Sequence, residues 1–177
     1  PGCGGIGAIG GIGAIGGAGA RGGGEGRGVA CAKQTAADNP RIIGIKESSG
    51  SLQRAIGIAT RYEGRIQLVS GSDDIALDFM LWGADSWICG PANCMARAVC
   101  DLDRTFRAGD LSGAKAIMTR IWPAMNFLES GKFVQKLKYG CELQGTPVGE
   151  CRMPLGPLTP EEKIEFATAM KPIVNWA

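Results

Sequence analysis

Three short apolar segments alternate with helical patterns between residues 41 and 109, and this alternation leaves few folds open to the chain. The apolar segments are RIIGIKE, RIQLVSG and ADSWICG, and the patterns that follow them are SLQRAIGIATRY, IALDFMLWG and MARAVCDLDRTFRAG. Short apolar runs of this kind are typical of strands that are buried on both faces of a parallel sheet. Repeated strand–helix units with short loops therefore predict a parallel α/β fold.

Residues at the ends of the predicted helices indicate where each helix starts or stops. Ser51, the segment Ser72–Asp74 and Thr159 are predicted N-caps, because their side-chain oxygens can accept hydrogen bonds from free backbone amides. Gly83 is the predicted C-terminal stop of its helix. Beyond residue 110 the pattern is helical, and Pro123 predicts a kink or break there. The predicted helices of this region are LSGAKAIMTRIWPAMNFLES, GKFVQKLKYGCELQG and TPEEKIEFATAMKPIVNWA.

A glycine-rich tract, residues 1–30, differs in composition from the rest of the chain. Its GIGAIG repeat fits the G-x-G-x-x-G dinucleotide fingerprint twice. That fingerprint works between a strand and a helix, whereas no strand pattern precedes Gly5 and a glycine-rich run follows Gly16. Glycine also makes a helix costly in backbone entropy. The tract is therefore predicted to be a disordered or aberrant low-complexity segment. Residues 31–177 are predicted to form the folded part.

The composition excludes several classes of function. A formal net charge of +2 gives no strong attraction to nucleic acid, and no apolar run reaches the length of a membrane span. The absence of histidine excludes Ser-His-Asp and Cys-His catalysis and histidine-ligated metals. Seven scattered cysteines without a CxxC motif favour a reducing cytoplasm over a disulfide framework. We therefore expect a cytoplasmic protein with no metal, no cofactor, and no nucleic-acid or membrane partner.

In a parallel α/β fold, functional residues gather at the carboxyl ends of the strands. Three stretches fall there: residues 46–48, residues 71–74 and residues 89–93. A lysine that ends an apolar strand is poorly hydrated, and desolvation favours the neutral amine that can attack a ketone to form a Schiff base. Lys46 is such a residue. The alternative is that Lys46 pairs with Glu47 or Asp73 and has no catalytic role, and its position alone slightly favours that alternative.

The motifs IIGIKESSG, LVSGSDD and GADSWICGPAN closely resemble strands six, seven and eight of the dihydrodipicolinate synthase/N-acetylneuraminate lyase family. AGDLSGAKAI, KFVQKLKYGCELQG and MPLGPLTPEEK resemble that family's C-terminal helices and its proline-marked connection. The resemblance runs from about Ala36 to the end. It implies an α/β fold that is part of a TIM (β/α)8 barrel, strands six to eight, followed by C-terminal helices. It also implies a Schiff-base lyase or aldolase that acts on pyruvate or a related 2-oxo acid and assembles as a homo-oligomer.

The same resemblance assigns roles to individual residues. Lys46 matches the lysine that forms the imine with the keto carbon of the substrate. Ile88 matches the strand-eight residue whose backbone lies against the bound pyruvyl group. Gly71, Asp73 and Asp74 match the strand-seven loop that contacts the variable part of the substrate, and helix capping is the alternative role of the two aspartates.

The sequence also departs from the family in several places. Gly90, a further candidate for substrate binding, stands where sugar-acid lyases often carry a serine. A complete barrel of this type needs about 250 residues, and only three of its eight strands have a counterpart here. The family's paired threonines and its tyrosine and arginine have none.

Two functional hypotheses follow from these observations. The first is a truncated Schiff-base enzyme that does not turn over substrate alone. The second is a non-catalytic barrel fragment or interaction remnant. A third, a nucleotide-binding dehydrogenase, rests on the GIGAIG repeat alone.

Overall fold

The computed structural model of the protein describes residues 39–176. The expectation for the glycine-rich residues 1–30 therefore lies outside the described residues. The described chain divides into two compact units, one ending at Ile88 and the other beginning at Cys89. The first unit contains the strands and the second contains helices alone among its described elements.

A three-stranded parallel sheet forms the centre of the first unit. Its strands are β1 (Gly44–Glu47), β2 (Gln67–Ser70) and β3 (Ser86–Trp87), in the order β1-β2-β3. The ladder pairs Lys46 with Val69, and Val69 with Ser86. The predicted parallel α/β arrangement is confirmed. Each strand is shorter than its apolar run, and before β1 the backbone amide of Ile42 donates to the carbonyl oxygen of Asn39 in a turn.

Two helices of the first unit follow the strands as the sequence predicts. α1 (Leu52–Arg61) is capped by Ser51, whose hydroxyl accepts from the backbone amide of Arg54 at 3.4 Å. α2 (Ala76–Leu81) ends before Gly83, which has the positive φ of 86° that glycine tolerates best. The caps at Ser51 and Gly83 are thus confirmed.

The predicted cap of α2 is wrong. The N-cap residue of α2 is Ile75, which makes no side-chain capping bond, so Ser72, Asp73 and Asp74 do not cap this helix. The physical reason is competition for their side chains. Ser72 accepts a hydrogen bond from the backbone amide of Gly50, and Asp73 accepts one from the indole of Trp87.

The core of the first unit lies on one side of the sheet, between the strands and both helices. Its buried members are Ala55, Ile58, Ile66, Leu68, Phe79 and Ala84. Ile45 of β1 packs against this cluster from the sheet. Because side chains alternate along a strand, the residues next to Ile45 and Leu68 along their own strands point to the opposite side of the sheet.

Four helices form the described part of the second unit. They are α3 (Ala92–Arg107), α4 (Leu111–Glu129), α5 (Phe133–Leu143) and α6 (Pro160–Met170). α3 begins at Ala92 rather than at Met95, and the non-helical backbone of Met95 (φ −144°, ψ 42°) interrupts its first turns. In residues 39–176, no helix has the length and apolar content that crossing a bilayer requires.

The helix α4 continues through Pro123, so of the predicted kink or break the break is absent. A proline inside a helix removes one backbone hydrogen bond. The buried side chains of Ile121 and Met125 on either side of Pro123 hold α4 against the core of the second unit. Tertiary packing of this kind supplies most of the stability of a helix in a protein. The predicted cap at Thr159 is confirmed, because Thr159 and Glu162 exchange both bonds of a capping box.

A lysine is buried in the second unit. Only 3% of Lys136 is exposed, and its Nζ donates to the carbonyl oxygen of Phe127 at 2.6 Å and to the hydroxyl of Ser130 at 2.8 Å. The ammonium also lies 4.2 Å from the ring centroid of Phe127. Burial lowers the pKa of Lys136 below its usual value, although the nearby carboxylate of Glu162 opposes that shift. Lys136 therefore supplies donors to the last turn of α4, where carbonyls lack helical partners.

Two helical glycines, Gly140 and Gly57, differ in how closely other atoms pack against them, so the same substitution at each position tests that packing. A Cβ added to Gly140 in α5 would lie 2.8 Å from the Sγ of Cys94 and 2.9 Å from its Cβ, whereas a Cβ on Gly57 in α1 would meet nothing within 4 Å. We expect Gly140→Ala to destabilise the fold by about 1–3 kcal/mol through overpacking. Gly57→Ala should stabilise it by about 0.5–1 kcal/mol through reduced backbone entropy. Urea denaturation of both variants measures these changes, and equal stabilisation by both would contradict the packing seen at Gly140.

Candidate active site

Lys46 lies on the face of the sheet opposite to the helix-covered core. Its neighbour Ile45 packs into that core, and the ladder partner of Ile45 is the buried Leu68. Alternation therefore places Lys46 and its ladder partner Val69 on the other face. The stem of Lys46 is partly buried at the carboxyl end of β1. This is the end at which parallel α/β folds place their functional groups.

Gly71 lies directly against Lys46. A Cβ added to Gly71 would lie 2.6 Å from the Cε of Lys46 and 2.9 Å from the carbonyl oxygen of Glu47, and it would overlap the hydroxyl of Ser48. The backbone amide of Gly71 donates to that same Glu47 carbonyl at 2.9 Å. Only a glycine fits at this position without displacing its neighbours. The backbone of Gly71 thus packs directly against the lysine side chain, a contact that is called the Gly71 floor below.

Ser48 is a member of this site that the motifs alone do not single out. Its hydroxyl and the Cε of Lys46 both border the space that a methyl group on Gly71 would fill. The signal in the sequence is spacing, since alternate residues of an extended segment share a side and Ser48 follows Lys46 by two positions. Ser48 therefore brings a polar hydroxyl next to the lysine.

Glu47 is occupied within its own loop. Its carboxylate accepts from the backbone amide of Ser49 at 3.0 Å and from the Ser49 hydroxyl at 2.9 Å. Only 9% of Glu47 is exposed, and alternation directs it away from the side of Lys46. These contacts disfavour the alternative in which Glu47 pairs with Lys46.

The loop after β2 carries the two aspartates of the candidate site. Asp73 is buried, and its Oδ1 accepts from the Nε1 of Trp87 at 2.9 Å. Asp74 is half-buried. The hydroxyl of the buried Ser72 accepts from the backbone amide of Gly50 at 3.1 Å, which joins this loop to the loop after β1. The substrate contacts expected of Asp73 and Asp74 stay predictions, and of the two Asp74 is the more accessible.

Ile88 and Gly90 lie in different units of the chain. The backbone amide of Ile88 donates to the carbonyl oxygen of Ser70 at 3.0 Å, which extends the pairing of β3 with β2, and its side chain is exposed. Gly90 belongs to the turn that precedes α3, where its carbonyl oxygen accepts from the Nδ2 of Asn93 at 2.8 Å. The structure thus places Lys46, Gly71 and Ile88 at the carboxyl ends of three adjacent strands.

The cysteines do not form a metal centre in the described chain. Residues 39–176 contain no cluster of three or more histidine, cysteine, aspartate or glutamate side chains that could hold a metal ion. Burial raises the pKa of the Cys94 thiol to about 12, and the nearby Cys141 adds to the rise. A neutral thiol of this kind behaves as a small apolar side chain and not as a metal ligand.

A groove at the opposite ends of the strands is not part of this site. It has a volume of about 600 Å³, and its lining includes Ile43, Glu63, Trp82 and Asp85. These residues precede the strands or follow the helices, whereas Lys46 and Gly71 lie at or after the carboxyl ends of the strands. In barrels built from parallel strands, this amino-terminal end is associated with stability rather than with catalysis.

The fold and the site together define a class of protein. A parallel sheet with helices after its strands, and a lysine at a strand's carboxyl end, is an α/β fold that resembles the TIM barrel. The family model for the dihydrodipicolinate synthetase family matches residues 30–173. The chain therefore belongs to the dihydrodipicolinate synthetase family.

Known proteins agree with this assignment. The chain is 36% identical over 137 residues to the 4-hydroxy-tetrahydrodipicolinate synthase of Geobacter sulfurreducens, a match that covers 76% of this chain and 47% of that protein. The solved 4-hydroxy-tetrahydrodipicolinate synthase of Methylacidiphilum fumariolicum superposes with a TM-score of 0.75 at 26% identity, covering 82% of this chain and 48% of that one. The N-acetylneuraminate lyase of Proteus mirabilis gives a TM-score of 0.60 at 26% identity, covering 73% and 45%. The chain thus spans about half the length of the curated relatives it matches.

The tight fit at Gly71 predicts the effect of a single methyl group. We expect Gly71→Ala to displace the side chain of Lys46, because a Cβ would lie 2.6 Å from the lysine Cε. Reductive methylation followed by peptide mass analysis reports the reactivity of Lys46 relative to the exposed Lys115. That ratio should change in Gly71→Ala and stay constant in Gly57→Ala, where the added methyl meets open space. An unchanged ratio in Gly71→Ala would show that the lysine does not depend on this floor.

Proposed function

We propose that this chain carries the imine-forming site of a lyase or aldolase that acts on pyruvate or a related 2-oxo acid, with Lys46 as the nucleophile. The observation that carries the proposal is the position of Lys46 at the carboxyl end of β1, with its Cε against Gly71. Relatives named 4-hydroxy-tetrahydrodipicolinate synthase support it. We further propose that β1, β2 and β3 correspond to strands six, seven and eight of a (β/α)8 barrel.

The chemistry proposed for Lys46 begins with attack of its neutral amine on the keto carbon of the substrate. A C–N bond forms as the π bond of the carbonyl group opens, and a proton moves from the nitrogen to the oxygen to give a carbinolamine. The hydroxyl group of the carbinolamine then takes up a second proton and leaves as water, which gives a protonated imine. The imine nitrogen then accepts the electron pair released when a bond to the adjacent carbon breaks. Proton transfer to and from the carbinolamine needs an acid–base group, and the hydroxyl of Ser48 is a polar group beside the lysine.

The other site residues are proposed to bind the substrate. The backbone at Ile88 would lie against the pyruvyl group, and Gly71 would leave room for it above the sheet. Asp74 would contact the variable part of the 2-oxo acid, with Asp73 in the same loop, and Gly90 stays a predicted substrate contact. No cofactor or metal enters this proposal. We also propose that the protein acts in the cytoplasm as a homo-oligomer.

A non-catalytic role is the second candidate function. In the described sheet β1 and β3 are both edge strands, so one side of each has no strand partner there. Tyr62, the tyrosine of the first unit in the described residues, follows the end of α1 and not the carboxyl end of a strand. A sheet whose edge strands are open suits a fragment that binds other chains without turnover.

Chemical trapping distinguishes the two candidates. We expect incubation with pyruvate and borohydride to leave a reduced pyruvyl adduct on Lys46, because borohydride reduces an imine to a stable secondary amine. Peptide mass analysis locates the adduct. Lys46→Arg keeps the positive charge but cannot form the imine, so it is the matched control and should show no adduct at position 46. A folded wild-type chain without label on Lys46 would support the non-catalytic role.

Turnover is expected to need more of the barrel than the three described strands. The open strand edge of β1 leaves the surroundings of Lys46 incompletely enclosed in the described sheet. We expect no steady-state lyase activity across several 2-oxo acids in the isolated chain. Activity should arise when the chain is mixed with the N-terminal half of a related barrel. Turnover by the isolated chain that is lost in Lys46→Arg would contradict this expectation.

A further inference from the structure

An indole–carboxylate hydrogen bond connects the last strand of the sheet to the loop after the middle strand. The Nε1 of Trp87 donates to the Oδ1 of Asp73 at 2.9 Å. Asp73 is only 3% exposed, so this bond lies away from water. A hydrogen bond to a buried carboxylate is stronger than one between neutral groups. The bond therefore constrains where the loop lies relative to β3.

The backbone ladder at this place is short. β3 contains two residues, which pair with Val69 and Ser70 of β2, and one more bond runs from the amide of Ile88 to Ser70. A strand with so few backbone bonds opens more readily than a longer one. The bond from Trp87 to Asp73 adds a side-chain contact between the end of β3 and the loop.

The constrained loop is the one that contacts Lys46. Asp73 follows Gly71 by two residues, and the intervening Ser72 is tied to the loop after β1 through the amide of Gly50. A Cβ on Gly71 would lie 2.6 Å from the lysine Cε, so a small movement of this loop changes the space around the amine. The loop is therefore anchored on both sides, by Gly50 and by Trp87.

We propose that Trp87 and Asp73 are positioning residues that hold Gly71 beneath Lys46 and so set the geometry for imine formation. This inference rests on the proposed function of Lys46. In imine formation Asp73 acts through the loop, because its Oδ1 accepts a hydrogen bond from the Nε1 of Trp87. Trp87 thereby has a role at the site that the sequence motifs do not assign to it.

Three variants of the full 177-residue chain separate the bond from the bulk of its side chains. Trp87→Phe keeps an aromatic ring and removes the N–H donor. Asp73→Leu removes the acceptor and keeps a side chain that branches at the same carbon, whereas Asp73→Asn keeps a carbonyl oxygen that can accept from the indole. Trp122→Phe makes the same exchange at an exposed tryptophan in α4 and is the control. Thermal unfolding identifies the variants that are folded.

The first measurement is the rate of pyruvate trapping on Lys46 as a function of pyruvate concentration. We expect Trp87→Phe and Asp73→Leu to lower the maximal rate about tenfold, because small errors in the placement of reacting groups are costly. Asp73→Asn should recover most of the rate, and Trp122→Phe should match the wild type. A wild-type rate in a folded Trp87→Phe would overturn the proposal. Should that variant not fold, the comparison of Asp73→Leu with Asp73→Asn decides in the same way.

The second measurement does not depend on the substrate. The extent of reductive methylation of Lys46 relative to the exposed Lys115 should change in Trp87→Phe and Asp73→Leu and be restored in Asp73→Asn. If the wild type traps no pyruvate, the proposed function fails, and this ratio alone decides on the positioning pair. An unchanged ratio in both disrupting variants would refute it, whereas a change restored by Asp73→Asn would support it. If neither disrupting variant folds, a wild-type ratio in Asp73→Asn is the expected result, and an altered ratio refutes the pair.

Discussion

The parallel pairing of β1 with β2 is the interaction on which the candidate site depends. It sets the register of Lys46 against Val69 and brings the amide of Gly71 to the carbonyl oxygen of Glu47. A shift of one residue in this register would turn Lys46 toward the helix-covered core, because alternate side chains of a strand face opposite sides. The apolar contacts of Ile45 and Leu68 oppose such a shift, since both would leave their core. The apolar contacts on one face of the sheet thus keep Lys46 on the other face.

Much of this arrangement could be predicted from the sequence, because it follows from local rules. Apolar runs and amphipathic patterns predicted the parallel α/β order, and the caps at Ser51, Gly83 and Thr159 follow from the preferences of single residues. Lys46 could be chosen because it ends an apolar run, and the carboxyl ends of parallel strands share one edge.

The features that sequence reasoning missed depend on tertiary contacts. Ser72 and Asp73 have the side chains of good N-caps, but bonds to the amide of Gly50 and to Trp87 engage them elsewhere. Pro123 has the local signal of a helix break, yet the burial of its neighbours keeps α4 continuous. The place of Ser48 beside the lysine required knowledge of how closely Gly71 approaches. In each case the outcome is set by a contact with a residue that is distant in the sequence, or by the packing of an entire helix.

The contact between Gly140 and Cys94 has a consequence for how relatives of this chain can diverge. The space between α5 and α3 at this point is filled by a thiol on one helix and by the absence of a side chain on the other. Substitutions at these two positions are therefore coupled: a residue larger than glycine at position 140 is tolerated only after position 94 has become smaller or the two helices have moved apart. Across homologous sequences the sizes of the residues at these two positions should covary. A substitution to a smaller residue at position 94 should precede a substitution to a larger residue at position 140.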